Sequence, residues 1–165
     1  MSVGIITGTG LYELPLDDPS IVERATPWGP VSLRRGVLAE AEVVHVSRHG
    51  AGHARLSSQT EPRATIAALA DEGVTAIIST TVVGGVDPGL ELGSFVLFDD
   101  LYFPSNRLPG GELCTLFSAA GQAGRGHWIF TAAYPRPIRA RVLEAAAGIG
   151  RSARDGGIYG LSLIH

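Results

Sequence analysis

Three short apolar runs, each ending in glycine and hydroxyl residues, constrain the fold of this 165-residue chain most strongly. Residues 3–6 lead into Thr-Gly-Thr-Gly, residues 43–46 into Ser-Arg-His-Gly, and residues 76–79 into Thr-Thr-Val-Val-Gly-Gly. Such runs, separated by a helical pattern, predict strands of an α/β sheet. Open α/β sheets bind ligands at the carboxyl ends of their strands, so these polar segments are expected to gather around one anion.

Helix signals are clearest over residues 61–72, where Thr60 is the expected N-cap and an apolar stripe recurs every three or four residues. A second helix is predicted over residues 137–147. Between them, residues 74–79 predict a strand that is buried on both faces, because the run is almost continuously apolar.

Turn residues predict the remaining connections. Residues 31–33 and 37–39 read as two short strands joined by a turn at Gly36, and another strand is expected to begin within residues 152–159. Residues 102–126 form a long loop rich in glycine and proline, and loops of this length tend to be functional.

Composition excludes several classes of function. All 13 basic residues are arginine, so there is no lysine for a Schiff base or a Walker phosphate loop. The net charge of −3 gives no general attraction to nucleic acid or to an anionic membrane. A single cysteine, Cys114, fits a cytoplasmic location, and no apolar stretch approaches the length of a bilayer span.

The polar segments that follow the strands each have a functional and an ordinary structural interpretation. Gly8-Thr9-Gly10 offers amides and a hydroxyl to an anion, or is only a tight turn. Arg48 can donate two parallel hydrogen bonds, and His49 can donate or accept depending on its protonation. This favours a ligand site over a pair of solvated side chains. Residues 80–85 suit a phosphate and a flat ring, or simply end a strand.

Histidines spaced by four, His45, His49 and His53, would form a metal-binding face on a helix. The glycines at positions 50 and 52 and the β-branched run before them argue against a helix there, so no metal site is expected. His45 is expected to pack within a strand. His127, near the long loop, could contact a ligand or serve packing alone.

In this order, the segments resemble the nucleoside phosphorylase family, in particular its 5'-methylthioadenosine and S-methyl-5'-thioinosine phosphorylases. Residues 5–11 are similar to the family's I-I-G-G-T-G-L, residues 47–53 to A-R-H-G-x-x-H, and residues 80–85 to T-x-A-V-G-G. The resemblance implies a three-layer α/β/α fold with a mixed central sheet, incomplete at the C-terminus. It would occupy a single domain over residues 1–160.

The resemblance also implies a role for individual residues. The family's contacts to orthophosphate fall on Thr9, Arg48, His49, Thr81 and the amide of Val82. Its nucleoside contacts fall on Val83, Gly84 and His127, the last reaching a neighbouring subunit of a homotrimer. Orthophosphate would be the co-substrate, and no cofactor, metal, nucleic acid or membrane is expected.

The implied reaction is phosphorolysis of a purine nucleoside by a cytoplasmic pentosyltransferase, with 5'-methylthioadenosine or 5'-methylthioinosine as substrate. Phosphate would attack the anomeric carbon while the bond to the base breaks. The family's acid for the leaving group falls beyond residue 165, so the catalytic acid is unassigned and this chain alone is expected to be inactive. Residues 161–165 are expected to be a non-native tail.

Two departures and two alternatives accompany the resemblance. Thr7 stands where the family has a glycine, and Glu61-Pro62 stand where it has Asn-Tyr. Histidine phosphatases also place Arg-His-Gly after a strand, so a phosphohydrolase using Arg48 and His49 is one alternative. A non-catalytic fragment that binds phosphate or a nucleotide is the other.

Overall fold

A mixed five-stranded sheet dominates the first of two compact units, Met1–Val83 and Gly84–His165. The computed structural model describes residues 2–126, 131 and 133–161. In the first unit the sheet order is β2-β3-β4-β1-β5. Its elements are β1 (Ser2–Thr7), β2 (Asp17–Thr26), β3 (Gly29–Leu38), β4 (Ala41–Ser47), α1 (Pro62–Asp71) and β5 (Val74–Ser79).

Strand direction divides this sheet into two halves. β4, β1 and β5 run parallel, and these are the three apolar runs that the sequence pattern singles out. β2, β3 and β4 pair antiparallel as a meander joined by tight turns. The predicted α/β class with a mixed sheet is therefore confirmed, and the parallel half ends at one edge, where the polar segments begin.

Helix α1 covers the sheet with a stripe of small and branched side chains. Ala64, Ala68 and Leu69 are buried on the helix, three to four residues apart. They pack against inward-facing side chains of β3 and β4, namely Val31, Leu33, Val44 and Val46. This apolar layer fixes the position of the parallel strands and so of the loops that follow them.

The N-cap of α1 is Glu61 and not Thr60, which corrects the sequence-based expectation. One carboxylate oxygen of Glu61 accepts from the amide of Arg63 at 3.1 Å and from its Nε at 2.8 Å. The hydroxyl of Thr60 donates instead to the carbonyl of Ser57, which ends the preceding 3₁₀ turn, Ser57–Gln59. Proline at the first helical position forces the chain into the helix immediately after Glu61.

Glu61→Ala is expected to lower the free energy of unfolding by about 1 kcal/mol, because it removes the cap of α1. Thr60→Ala is the matched control and is expected to cost less than about 0.5 kcal/mol, since its hydrogen bond is exposed. Urea unfolding of both variants measures the difference. Equal losses would contradict the assignment of the cap to Glu61.

β3 is a single ten-residue strand, so the predicted turn at Gly36 is wrong. Gly36 lies inside the strand, where an added Cβ would sit 2.7 Å from the Cβ of Leu16 and 2.8 Å from the carbonyl oxygen of Asp17. The glycine therefore allows the start of β2 to cross close to β3. A register shift between Asp17 and Ser20 marks the same place.

β5 has the predicted bounds, but it is not buried on both faces. It pairs only with β1 among the described residues and so forms an edge of the five-stranded sheet. Ile77 and Ile78 are 38% and 39% exposed. An apolar run does not distinguish a central strand from an edge strand, because both read as continuous hydrophobic residues.

The second unit contains short elements. Two parallel strand pairs, β6 with β8 and β7 with β9, are described there together with one helix. The elements are β6 (Phe95–Leu97), β7 (Asp100–Tyr102), α2 (Arg136–Gly148), β8 (Ala153–Asp155) and β9 (Ile158–Gly160).

The strand expected within residues 152–159 is in fact two strands, β8 and β9. Gly156 and Gly157 separate them with φ values of 96° and 144°, a conformation that favours glycine. The amide of Gly157 donates to Asp99 at 2.9 Å, which anchors the break. None of the helices among the described residues has the length and apolar character needed to cross a bilayer.

Candidate functional site

The carboxyl ends of the three parallel strands are held together by backbone hydrogen bonds. The amide of Arg48, after β4, donates to the carbonyl of Thr7 at 2.9 Å. The amide of Thr80, after β5, donates to the carbonyl of Ile6 at 2.9 Å. Three polar segments therefore leave the sheet side by side, as the sequence predicts.

The glycine-rich segment after β1 forms a tight turn. The amide of Leu11 donates to the carbonyl of Gly8 at 3.2 Å, and Gly10 has a φ of 87°. Thr9 is exposed at the tip, and no hydrogen bond described for the chain uses its amide. The turn thus presents a hydroxyl and an unpaired amide at the carboxyl edge of the sheet.

Arg48 is the side chain that joins two of the segments. Its Nη2 donates to the hydroxyl oxygen of Thr81 at 3.1 Å, across 33 residues of sequence. The same nitrogen lies only 2.5 Å from where a Cβ on Gly8 would be. Because Thr81 already accepts from Arg48, its own hydroxyl hydrogen is left to donate to a ligand.

His49 is buried and has a defined tautomer. Its Nδ1 lies 3.0 Å from the carbonyl oxygen of Arg55, and a carbonyl only accepts, so Nδ1 carries the hydrogen. Burial is the main cause that lowers the pKa of His49 below its usual value. The carbonyl of Arg55 raises it, whereas the neighbouring Arg48 and His53 lower it further.

His53 and Tyr12 support His49 from the side. The rings of His49 and His53 are stacked, with centroids 4.5 Å apart and planes 17° apart. The hydroxyl of Tyr12 lies 3.0 Å from Nδ1 of His53. The sequence motif includes His53, but the contribution of Tyr12 was not predicted, since nothing in its local sequence distinguishes it from a loop tyrosine.

His45 packs inside the sheet, as expected. Its Nε2 lies 2.8 Å from the hydroxyl of Thr7, and the ring is 1% exposed. Its Nδ1 has no hydrogen-bond partner in the described part of the chain and is sealed from solvent. Within the described part of the chain, no group of three or more acidic, histidine or cysteine side chains is arranged to hold a metal ion.

We expect the free energy of unfolding to fall as the pH drops from about 7.5 to about 5.5. Burial, and then Arg34, lower the pKa of His45, so the folded state keeps this ring neutral. The unfolded chain takes up a proton below its ordinary pKa, which favours unfolding as the pH falls. Urea unfolding at both pH values measures the loss.

His45→Gln is expected to show a smaller acid-induced loss of stability than the unaltered chain. His49, whose pKa is lowered in the same direction, supplies what remains. An identical pH dependence in the variant would show that unfolding does not change the protonation of His45.

The other predicted site residues that the structure describes are more exposed or have more free space around them. Val82 and Val83 follow Thr81 and are 74% and 47% exposed, and no described hydrogen bond uses the amide of Val82. Gly84 is the first residue of the second unit, and an added Cβ there would meet nothing within 4 Å. His127 lies outside the described residues.

Comparison with known proteins matches the chain to a protein family. The model of the family described as "Phosphorylase superfamily" covers residues 2–162. The chain belongs to the phosphorylase superfamily. The predicted phosphorylase family is thereby confirmed.

Individual relatives agree with this assignment. The chain is 37% identical over 162 residues to a protein of Korarchaeum cryptofilum named "Probable 6-oxopurine nucleoside phosphorylase", covering 95% of this chain and 60% of that protein. It is 31% identical over 163 residues to a protein of Xanthomonas campestris named "Probable S-methyl-5'-thioinosine phosphorylase", covering 97% and 63%.

Among solved structures, the fold is similar to methylthioadenosine phosphorylase from Schistosoma mansoni in complex with adenine. The TM-score is 0.77 at 26% identity, over 90% of this chain and 54% of that one. The chain therefore spans between about half and two thirds of the length of these phosphorylases. The activity, substrates and partners of the whole protein are matters for proposal.

Proposed function

We propose that this chain supplies the phosphate-binding side of the active site of a purine nucleoside phosphorylase. The observation that carries the proposal is the hydrogen bond of Arg48 to Thr81, formed against the backbone of Gly8 at the ends of three parallel strands. It places a guanidinium, a free hydroxyl hydrogen and a glycine-rich turn at one edge. Each of the three offers a hydrogen-bond donor, as binding of an oxyanion requires.

The two ends of this arrangement complete the phosphate cradle. Thr9 contributes its hydroxyl and its amide, which has no partner among the described residues, and Val82 contributes its amide after Thr81. His49 adds a ring nitrogen beside Arg48. Because Arg48 is half-buried, its charge is less screened by solvent than that of a surface arginine, which strengthens its attraction for an anion.

The proposed reaction is attack of orthophosphate on the anomeric carbon of a nucleoside while the bond from that carbon to the purine nitrogen breaks. The electron pair of the broken bond leaves with the purine, which takes up a proton. A phosphate held by Arg48 and Thr81 lowers the barrier in two ways. It is oriented for attack, and its negative charge stabilises the cationic sugar of the transition state.

The substrate is proposed to be a 5'-methylthio purine nucleoside, in agreement with the sequence resemblance. The names of the two relatives refer to 6-oxopurines and to methylthioinosine, whose base is itself a 6-oxopurine, whereas the solved neighbour is named for methylthioadenosine. We therefore place 5'-methylthioinosine first and 5'-methylthioadenosine second. Val83 and Gly84 are proposed to line the nucleoside side of the site.

A phosphorolysis assay tests the function. Inosine, 5'-methylthioinosine and 5'-methylthioadenosine are incubated with and without orthophosphate, using this chain and any longer reading frame found at its source locus. Release of free base that requires phosphate, together with formation of the sugar 1-phosphate, is the expected result for a frame as long as the relatives. Base release without phosphate would show hydrolysis and would contradict the proposal. The expectation that the 165-residue chain alone is inactive stays a prediction of the same assay.

The homotrimeric state, the single domain over residues 1–160 and the cytoplasmic location remain predictions. In a trimer, His127 would reach the nucleoside pocket of a neighbouring subunit. Light scattering of the purified protein measures the oligomeric state, and a monomer at micromolar concentration would contradict the trimer.

Neither alternative gains support from the family match. A phosphohydrolase using His49 as nucleophile would retain labelled phosphate on that histidine after incubation with a phosphomonoester. A non-catalytic phosphate-binding protein would bind phosphate without releasing base in any form of the protein. We expect no covalent phosphohistidine, because the phosphorylase reaction needs no protein nucleophile.

A further inference from the structure

We infer that His49 makes the site selective for hydrogenphosphate by accepting its P–OH hydrogen at Nε2, and so rejects anions of similar shape that carry no proton. The inference rests on the proposed function, since it concerns the same phosphate site. It assigns to His49 the discrimination between anions, a task different from the attraction supplied by Arg48.

The backbone fixes which nitrogen of His49 is free. The carbonyl oxygen of Arg55 occupies Nδ1 at 3.0 Å and requires a hydrogen there. Nε2 has no hydrogen-bond partner among the described residues and, unlike Nδ1 of His45, is not sealed from solvent. In a neutral ring, the free nitrogen must therefore be an acceptor whose lone pair is accessible.

The surroundings of His49 keep the ring neutral. The groups that face it are the guanidinium of Arg48 beside it, the stacked ring of His53, and the carbonyl of Arg55. Tyr12 contacts His53, and not the ring of His49, through a hydrogen bond and an edge-to-face ring contact. Burial, and then the charge of Arg48, lower the pKa of His49, which favours the neutral ring at neutral pH.

A neutral acceptor, Nε2 of His49, among hydrogen-bond donors favours anions that carry a proton over those that do not. The hydrogenphosphate dianion has one P–OH, which can donate to Nε2, and three bare oxygens for Arg48, Thr81 and the backbone amides. Sulfate and monofluorophosphate are dianions of similar size at neutral pH but carry no such hydrogen. Each would direct a bare oxygen or a fluorine at the lone pair, which repels it and leaves the nitrogen unpaired.

Titration calorimetry of the unaltered chain with four probes tests the inference: orthophosphate, arsenate, monofluorophosphate and sulfate. At about pH 7.5 we expect phosphate and arsenate, which both carry the hydrogen, to bind with similar affinity. Monofluorophosphate and sulfate are expected to bind at least about tenfold more weakly. Equal affinity for all four anions would overturn the inference while leaving the phosphate site in place.

Lowering the pH reverses the discrimination. Once His49 is protonated, Nε2 becomes a donor, so the affinity for sulfate is expected to rise by about tenfold between pH 7.5 and pH 5. Sulfate affinity that stays constant or falls over this range would overturn the inference. If phosphate binds at neither pH, both the inference and the proposed function are overturned.

His49→Gln provides an independent measurement, because the glutamine amide can donate as well as accept. We expect the preference for phosphate over sulfate to fall to about twofold or less. Ser57→Ala, an exposed change in the same loop, is expected to keep the full preference. If His49→Gln does not fold, the comparison of monofluorophosphate with phosphate on the unaltered chain still decides the question.

Discussion

Arg48→Met is expected to weaken phosphate binding by at least about 100-fold, the largest effect of any single change considered. The substitution removes the only guanidinium seen against both Gly8 and Thr81 in the described residues. It leaves a flexible apolar chain of similar length in its place. Calorimetry with orthophosphate measures the loss, and urea unfolding is expected to show a stability change below about 1 kcal/mol.

Two further arginine variants separate charge from shape. Arg48→Lys keeps the positive charge but cannot donate two parallel hydrogen bonds to one phosphate, so we expect the phosphate affinity to fall by about tenfold. Arg55→Met is the matched control: its side chain is exposed, and its hydrogen bonds to His49 are made by its backbone amide and carbonyl, which the substitution keeps. Full phosphate affinity in Arg48→Met, or an equal loss in Arg55→Met, would show that phosphate is not bound at this edge.

Gly8→Ala is expected to weaken phosphate binding by about tenfold without adding or removing any charged or donor group. The new methyl would lie 2.5 Å from Nη2 of Arg48 and 3.1 Å from the carbonyl oxygen of Thr80. The carbonyl belongs to the backbone and cannot easily move. The guanidinium must therefore leave Thr81, and the cradle loses its central donor.

The loss in Gly8→Ala should be mainly in binding, because a flexible arginine can turn into solvent at little cost. We expect the free energy of unfolding to fall by less than about 2 kcal/mol. Gly148→Ala, at the end of α2, is the matched control, since an added Cβ there meets nothing within 4 Å. Unchanged phosphate affinity in Gly8→Ala would mean that the position of the Arg48 guanidinium against Gly8 is not required for phosphate binding.

The errors in the sequence-based prediction have a common physical origin. The sequence predicts a turn at Gly36 because glycine permits turns, yet its role is to let Leu16 and Asp17 approach a continuous strand. The apolar run of β5 predicts a strand covered on both faces, although β5 lies at an edge of the sheet. In each case a local pattern was compatible with two structures, and contacts distant in sequence selected one of them.

The site shows the same division between local and distant information. The motif with Arg48 and His49 could be recognised, because the residue types and their place after a strand are local properties. That His49 exposes Nε2 and not Nδ1 depends on the carbonyl of Arg55, whose position is set by the path of the loop. The support from Tyr12 joins residues 41 positions apart and has no local signature.

The amino-acid sequence by itself determined that three strands carry polar segments at their carboxyl ends, because apolar runs and apolar alternation are patterns of residues adjacent in sequence. Only the tertiary structure decided that Arg48 bonds Thr81 over Gly8, and which nitrogen of His49 is left free. The physical reason is that a hydrogen bond depends on distance and direction to within tenths of an ångström. Those quantities follow from strand register and core packing, which arise only when the whole sheet is assembled.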